Sequence, residues 1–264
     1  MAFVVDIPPL GTARPSDAQL AAWEAQLWEE GYLVLPGALP APAVQHFAER
    51  FKHMPREMGY GTNSLVRLFE WGPDFVHLLE NEPVITLMER ILGKNLHIIA
   101  LQGHRMFKGN EVLRWHSDEV YLERRADVPD SIEYPPIINV INCHYYLTDV
   151  PEELGPTQVV PGSHRACRQP RPEDGDPPHW RGKGPVSLTV KAGDCVMYSN
   201  QAWHRGSPNT TDQTRLAVVP AYARRFVAQR FWPFLNYHLS RDILDACTPR
   251  QRELLGEHGR GAYG

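Results

Sequence analysis

Cysteine is scarce in this chain and shows no pattern. Cys143, Cys167, Cys195 and Cys247 are the four cysteines in 264 residues, and none forms a Cys-x-x-Cys or other zinc-type spacing. A chain this long buries enough core to need no disulfide staples, so they read as reduced thiols of a cytosolic protein. Positive charge is not in excess either. With 27 Lys and Arg against 31 Asp and Glu, the net charge is −4, which argues against a nucleic-acid partner. No apolar run approaches the ~18 residues that a membrane span requires. Met1-Ala2-Phe3-Val4-Val5-Asp6 has no basic leader and no small-residue cleavage site, so a cytoplasmic protein is expected, with no membrane partner. A Gly-x-Ser-x-Gly elbow is also missing. Gly59-Tyr60-Gly61 lacks the strand-to-helix setting of a dinucleotide fingerprint, and Gly93-Lys94-Asn95 is not a phosphate loop.

Turn formers, by contrast, are plentiful: 24 prolines and 20 glycines favour many short elements. Ser16 is placed to cap a helix running to Glu30 and closed by Gly31, with Leu20, Trp23 and Leu27 as its apolar stripe. A short strand follows over Gly31 to Gly37, then a helix over 41–53 with Val44, Phe47 and Phe51 on one side. A third helix, capped by Asn81 or Glu82, is expected to Leu92. From Asn95 the character changes. Residues 96–107, 137–147, 157–160, 186–190, 195–199 and 215–221 are rich in β-formers and separated by turn clusters, the pattern of a β-sandwich or barrel. The stretch 55–64 reads as a mobile loop, and 123–136 and 165–184 as long connections of the kind that are lids, entry loops or disordered segments. Helix returns after Trp232, with Thr248-Pro249 as a start signal. One domain over 1–264 is expected: a helical part to about 94, a β core to about 225, and a helical C-terminal extension.

The stretch most charged with chemistry is Arg114-Trp115-His116-Ser117-Asp118. On an extended backbone His116 and Asp118 point the same way and can grip one ion together. A His-x-Asp is common by chance, so its meaning depends on the remaining chain. A second histidine would complete the two-histidine, one-carboxylate facial triad that holds non-haem iron(II) and leaves positions open. Of the twelve histidines, His204 is best placed, just after the strand-like 195–199. Ser207 to Asp212 is rich in turn residues, and Arg215 opens the next apolar strand. His204 and Arg215 are thus expected on two arms of one hairpin, as near neighbours. A buried arginine there calls for an anion. A dicarboxylate that chelates the metal at one end and meets Arg215 at the other would satisfy both demands.

Several of these segments together resemble the phytanoyl-CoA dioxygenase family of iron(II)/2-oxoglutarate oxygenases. They are Gly31-Tyr32-Leu33-Val34-Leu35-Pro36-Gly37, Trp115-His116-Ser117-Asp118, Leu154-Gly155-Pro156-Thr157-Gln158-Val159-Val160-Pro161-Gly162-Ser163-His164, and Gly193-Asp194 with His204 and Arg215. The likeness runs from about residue 16 to about 225. It implies a mainly β fold with flanking helices, built on a double-stranded β-helix (a jelly roll, cupin-like). It also implies Fe(II) on His116, Asp118 and His204, 2-oxoglutarate on Arg215 and Thr157, and O2 as oxidant. Leu113 stands where many relatives carry a polar residue that touches 2-oxoglutarate, and its task would pass to Gln102 or Arg105. Relatives often have Asn-Gly where this chain has Leu154-Gly155. Related halogenases carry a small residue where Asp118 stands, so oxygen transfer is implied over chlorination.

The activity implied is oxidation, most simply hydroxylation, of a small molecule with release of succinate and CO2. Without a basic patch suited to a nucleotide phosphate, a secondary metabolite lacking CoA is favoured as substrate. Two other classes compete: a jelly-roll binding protein with a vestigial metal site, and a zinc or manganese enzyme of cupin type. Among other polar residues, His144 reads as a core histidine and His164 as a polar residue shaping its turn. Arg165, Arg168 and Arg171 read as solvated. Trp203 and Tyr121 either line a pocket or pack.

Overall fold

The computed structural model describes residues 7–55, 64–110, 114–118, 123–125, 127–132, 134, 137–231 and 237–259. Two antiparallel sheets form its centre. The larger has the order β1-β7-β4-β9-β3-β2 and the smaller β6-β5-β8. The strands are β1 (Tyr32–Leu35), β2 (Ser64–Leu65), β3 (His97–Met106), β4 (Val140–Tyr146), β5 (Thr157–Val159), β6 (Val186–Leu188), β7 (Cys195–Ser199), β8 (His204–Gly206) and β9 (Arg215–Ala223). This is the mainly β, jelly-roll architecture expected from the strand spacing and the family likeness.

Period-two alternation gives each central strand two jobs. All seven residues of β4 are buried. Ile141, Cys143 and Tyr145 point to one face, where they join Met197 of β7 and Val218 and Tyr222 of β9 in the main core. Helices α1 (Asp17–Glu30), α2 (Ala41–Lys52) and α4 (Val84–Leu92) cover that face, through Leu27, Phe47, Phe51, Met88 and Ile91 among others. A fully buried Leu or Phe of this set contributes about 1.5–3 kcal/mol by removal from water. Tyr146, Val196, Tyr198, Ala217 and Val219 point to the opposite face, where Val159 and Leu188 of the small sheet meet them. Asn142 and His144 share that second face with Tyr146. The interior between the sheets therefore receives the polar members of β4.

The first helix matches its signals. Ser16 caps α1 in a reciprocal box with Gln19, and Gly31 ends it at φ 77°. A methyl group on Gly31 would lie 2.4 Å from His164 Nδ1, so glycine is required there twice over. The third expected helix begins later than its capping signal. Pro83 is its N-cap and makes no side-chain cap bond. Asn81 instead braces two other segments, accepting from Gly11 N–H at 2.9 Å and donating to the Ala38 carbonyl at 2.8 Å. A short helix α3 (Pro73–His77) precedes it. At the C-terminal end the helix expected from Trp232 reduces to α5 (Arg241–Asp245) and α6 (Pro249–Leu254), the latter capped by Thr248 as expected; residues 232–236 lie outside the described set. All four cysteines are free thiols. No helix among the described residues is long and apolar enough to cross a membrane.

Candidate metal centre

His116 and Asp118 sit on a short extended stretch antiparallel to the start of β8, outside any regular strand. His116 and His204 exchange both backbone hydrogen bonds, at 3.1 and 2.9 Å, and Asp118 N–H donates to the Asn200 carbonyl at 3.0 Å. The pairing brings the two imidazoles to 4.4 Å between ring centroids. Asp118 Oδ1 lies 3.6 Å from His116 Nε2 and 3.8 Å from His204 Nε2. One ligand atom from each of the three residues falls within 4.8 Å of the other two. The nitrogen–oxygen separations are too long for good hydrogen bonds. They suit three groups arranged around one ion.

The protonation pattern fits a cation. His116 Nδ1 faces the Arg114 carbonyl at 2.7 Å, and His204 Nδ1 faces the Ala202 carbonyl at 2.9 Å. A carbonyl can only accept, so each Nδ1 carries a hydrogen, and in the neutral ring each Nε2 turns its lone pair to the centre. Asn142 Nδ2 donates to Asp118 Oδ2 at 2.7 Å, leaving Oδ1 to face the rings. Burial would raise the Asp118 pKa, but the charge of His204 and the His116 contact outweigh it and hold the carboxyl well below the usual carboxylate range. His204 is lowered, chiefly by burial. Burial also acts to lower His116, yet Asp118 and the Arg114 carbonyl prevail and raise it. A carboxylate held ionised, with two imidazole Nε2 atoms turned toward it, is the donor set of a facial triad.

Arg215 borders this centre, though by a route other than a hairpin. β8 pairs with β5 in the small sheet, whereas β9 pairs with β4 and β3 in the large one. The connection 207–214 is a corner between the sheets. It is pinned by Ser207 to the Pro156 carbonyl and by Asn209 Nδ2 to the carbonyls of Met106 and Gln213, at 2.6, 3.0 and 2.7 Å. Arg215 is buried and donates from Nη1 to the carbonyl of Gly155. Gly155 has φ +77°, and a Cβ on it would meet the Ser207 carbonyl at 2.4 Å, so the unusual Leu154-Gly155 keeps the glycine that the corner needs. Among the described residues no carboxylate lies within ion-pair distance of Arg215.

Thr157, buried on β5, is opposite Gly206 in register, and a Cβ on Gly206 would lie 3.8 Å from Arg215 Nη2. Its hydroxyl is 2.8 Å from Tyr146 Oη. Gln102 Oε1 lies 3.3 Å from His104 Nε2, so it joins the interior face through His104. Arg105 is on the other face of β3, where Nη1 donates to the Met54 carbonyl at 3.1 Å. It belongs to the packing around the end of α2, and alternation along the strand is the reason. Leu113 and Tyr121 lie outside the described residues.

Several interior residues were not singled out as site residues from the sequence: Asn142, His104, Tyr146 and Tyr198. The alternating Asn142, His144 and Tyr146 on a strand otherwise apolar was the available signal. His144 is a hydrogen-bonded interior histidine as expected, 3.0 Å from Tyr198 Oη. Burial and the nearby Arg215 push His104 down to about 4, and burial holds His144 well below its ordinary value. Neither histidine adds positive charge beside Arg215. His164 is fully buried, with Nε2 on the Trp28 carbonyl at 3.1 Å. Trp203 packs, its Nε1–H donating to the Arg168 carbonyl at 2.8 Å. The expectation of solvated arginines fails at Arg168. It is buried and ion-paired with Asp130 and Asp174 at 2.6 and 2.7 Å, and lies over Trp203. Arg165 pairs with Glu29 at 3.0 Å.

A family model described as phytanoyl-CoA dioxygenase matches residues 27–217, a span that holds every residue of this centre. The chain belongs to the phytanoyl-CoA dioxygenase family. That family depends on iron(II) and 2-oxoglutarate and uses O2. Its relatives include a dioxygenase, hkm4, of Aspergillus hancockii, 29% identical over 147 residues, which are 53% of this chain and 42% of that protein. The chain thus spans less than half the length of that relative. Another dioxygenase, easH of Epichloe festucae var. lolii, is 30% identical over 154 residues, 56% of this chain and 72% of the relative. Among solved structures, HygX from Streptomyces hygroscopicus with nickel, 2-oxoglutarate and hygromycin B bound superposes with a TM-score of 0.63 at 18% identity, over 84% of this chain and 95% of that one. That likeness is one of fold.

Proposed function

We propose that this protein is an iron(II)- and 2-oxoglutarate-dependent dioxygenase that oxidises, most simply hydroxylates, a small-molecule metabolite. One observation carries the reading: a complete His116–Asp118–His204 donor set stands beside a buried Arg215 that has no carboxylate partner among the described residues. His116, Asp118 and His204 would hold the iron, and Arg215 the distal carboxylate of 2-oxoglutarate, with Thr157 beside it and Gln102 on the same interior face. When bound, iron and 2-oxoglutarate supply the oxidising chemistry, in which O2 is consumed, 2-oxoglutarate becomes succinate and CO2, and one oxygen atom goes to the substrate.

The chain's own residues position and select. Backbone carbonyls fix both imidazole tautomers, and Asn142 turns Asp118 so that one oxygen faces the rings. Lowered His104 and His144 add no cation beside Arg215, and among the described residues the guanidinium meets the Gly155 carbonyl and no carboxylate, so it is suited to one anion. The carboxylate at position 118 supports oxygen transfer over halide transfer. A substrate without CoA is supported by the arginines after the Pro-Gly-Ser-His turn: Arg165 and Arg168 are committed to ion pairs and offer no cradle for a nucleotide phosphate.

Succinate release tests the reading. Aerobic incubation with iron(II), ascorbate and 2-oxoglutarate should yield succinate slowly on its own and faster when the true substrate is added from a metabolite panel. His116→Ala should produce none. Succinate formation unaffected by His116→Ala would remove the proposal.

A further inference from the structure

Backbone geometry at the His-x-Asp stretch leaves one peptide pair facing away from β8. His116 directs its N–H and carbonyl to His204, and Asp118 directs its N–H to Asn200. Between them, Ser117 must point its N–H and carbonyl to the other edge. Both meet the side chain of one residue: Ser117 N–H donates to Gln169 Oε1 at 2.8 Å, and Gln169 Nε2 donates to the Ser117 carbonyl at 2.8 Å. The planar amide acts as a one-residue strand neighbour. The Ser117 hydroxyl, in turn, donates to the Gln201 carbonyl at 3.0 Å.

The base under Gln169 is stiff. Arg168 donates from Nη1 to the Gln169 carbonyl at 3.0 Å and to Asp174 at 2.7 Å, and from Nη2 to Asp130 at 2.6 Å. The Arg168 carbonyl receives Trp203 Nε1–H, one residue before His204. Adjacent residues 168 and 169 thus hold the chain next to all three ligands: Ser117 between His116 and Asp118, and Trp203 beside His204. Ser117 is buried, so its peptide groups need partners, but separate groups could satisfy each, and hydrogen-bond satisfaction alone does not call for a glutamine. A two-point clamp on the residue joining two ligands does.

We infer that Gln169 is a positioning residue for the metal centre, fixing the relative orientation of His116 and Asp118 through the Ser117 peptide. The inference rests on the metal-centre reading above. It links the 165–174 segment to the geometry at the iron, so a molecule that displaces this segment would alter the ligands without touching them.

The test compares wild type with Gln169→Met, which keeps length and bulk but makes neither hydrogen bond, and Gln169→Glu, which keeps the acceptor and sets a carboxylate oxygen against the Ser117 carbonyl. Iron(II) affinity and the visible absorption of the anaerobic iron–2-oxoglutarate complex are read alongside Tm. Groups that orient metal ligands typically contribute tenfold or more in affinity. Gln169→Met should therefore bind iron(II) about tenfold or more weakly, with a displaced or weakened band at metal saturation and a Tm near wild type; Gln169→Glu should shift both readouts in the same direction. Wild-type affinity and band in Gln169→Met, with or without a lower Tm, overturn the inference. If Gln169→Met does not fold, Gln169→Glu decides by the same two readouts. If wild type itself retains no iron, the underlying reading fails and the inference with it.

Discussion

Asp118 keeps its charge at a partly open site because His204, His116 and Asn142 together outweigh the cost of desolvation. Asn142 is the neutral member of that set, and its effect separates from the ligands themselves. Asn142→Ala should free Oδ2, let the carboxylate rotate, and weaken iron(II) binding by roughly 10–100-fold, measured by competition with a chelating dye. Arg215→Ala should leave iron binding near wild type but weaken 2-oxoglutarate by about 2 kcal/mol or more, roughly thirtyfold, in an anaerobic titration. Equal loss of both ligands would assign Arg215 to the fold. Proton competition has a definite sign. The His116 pKa stands above its ordinary value, and a metal takes only the neutral ring. Iron(II) affinity should therefore fall as pH drops through a window beginning above about 6.5, the value of a free imidazole. Most of these residues were legible individually. His116, Asp118, His204 and Arg215 carry local signals, whereas Asn142 and Gln169 act through partners 24 and 52 residues away, which no local pattern reports.

At the level of elements, the strands other than the short β2 and β8, and the first two helices, followed from alternation, capping and glycine placement. Gly31 illustrates how local and tertiary demands coincide: it ends α1 in the left-handed region and leaves room for the buried His164 ring. Gly31→Ala should cost about 2–4 kcal/mol, strain and overpacking combined, read as a lowered midpoint in urea unfolding. A loss below ~0.5 kcal/mol, the range of a neutral surface change, would show that the ring gives way. The His204–Arg215 hairpin was misread for a physical reason. A turn-rich stretch between two strand-like runs looks alike whether the chain doubles back or turns a corner into a second sheet. Only the partners of β8 and β9 tell them apart. Pairing choice also hid the burial of Arg168, because its carboxylates come from Asp130 and Asp174 on other turns of the chain.

Across the molecule, one sheet serves two interiors. Its outer face packs on helices and supplies the bulk of apolar burial, and its inner face, with the small sheet, carries the polar residues of the centre. Division of labour of this kind lets the inner face hold a buried arginine and unpaired ligand atoms while the helix-covered core carries stability. Two sheets held in part by a shared centre should also be linked to metal. Iron(II) at a hundred times its dissociation constant should add about 2.7 kcal/mol, roughly 5–10 °C in Tm, and His204→Ala should lose that increment. The central claim is tested most directly by anaerobic titration with iron(II) followed by 2-oxoglutarate. The account predicts a weak visible charge-transfer band near ~500 nm, expected for 2-oxoglutarate chelated to iron(II) in an open facial site. The band should be absent in His116→Ala and should need far more 2-oxoglutarate in Arg215→Ala. A protein that binds iron(II) normally yet stays colourless at saturating 2-oxoglutarate would contradict it.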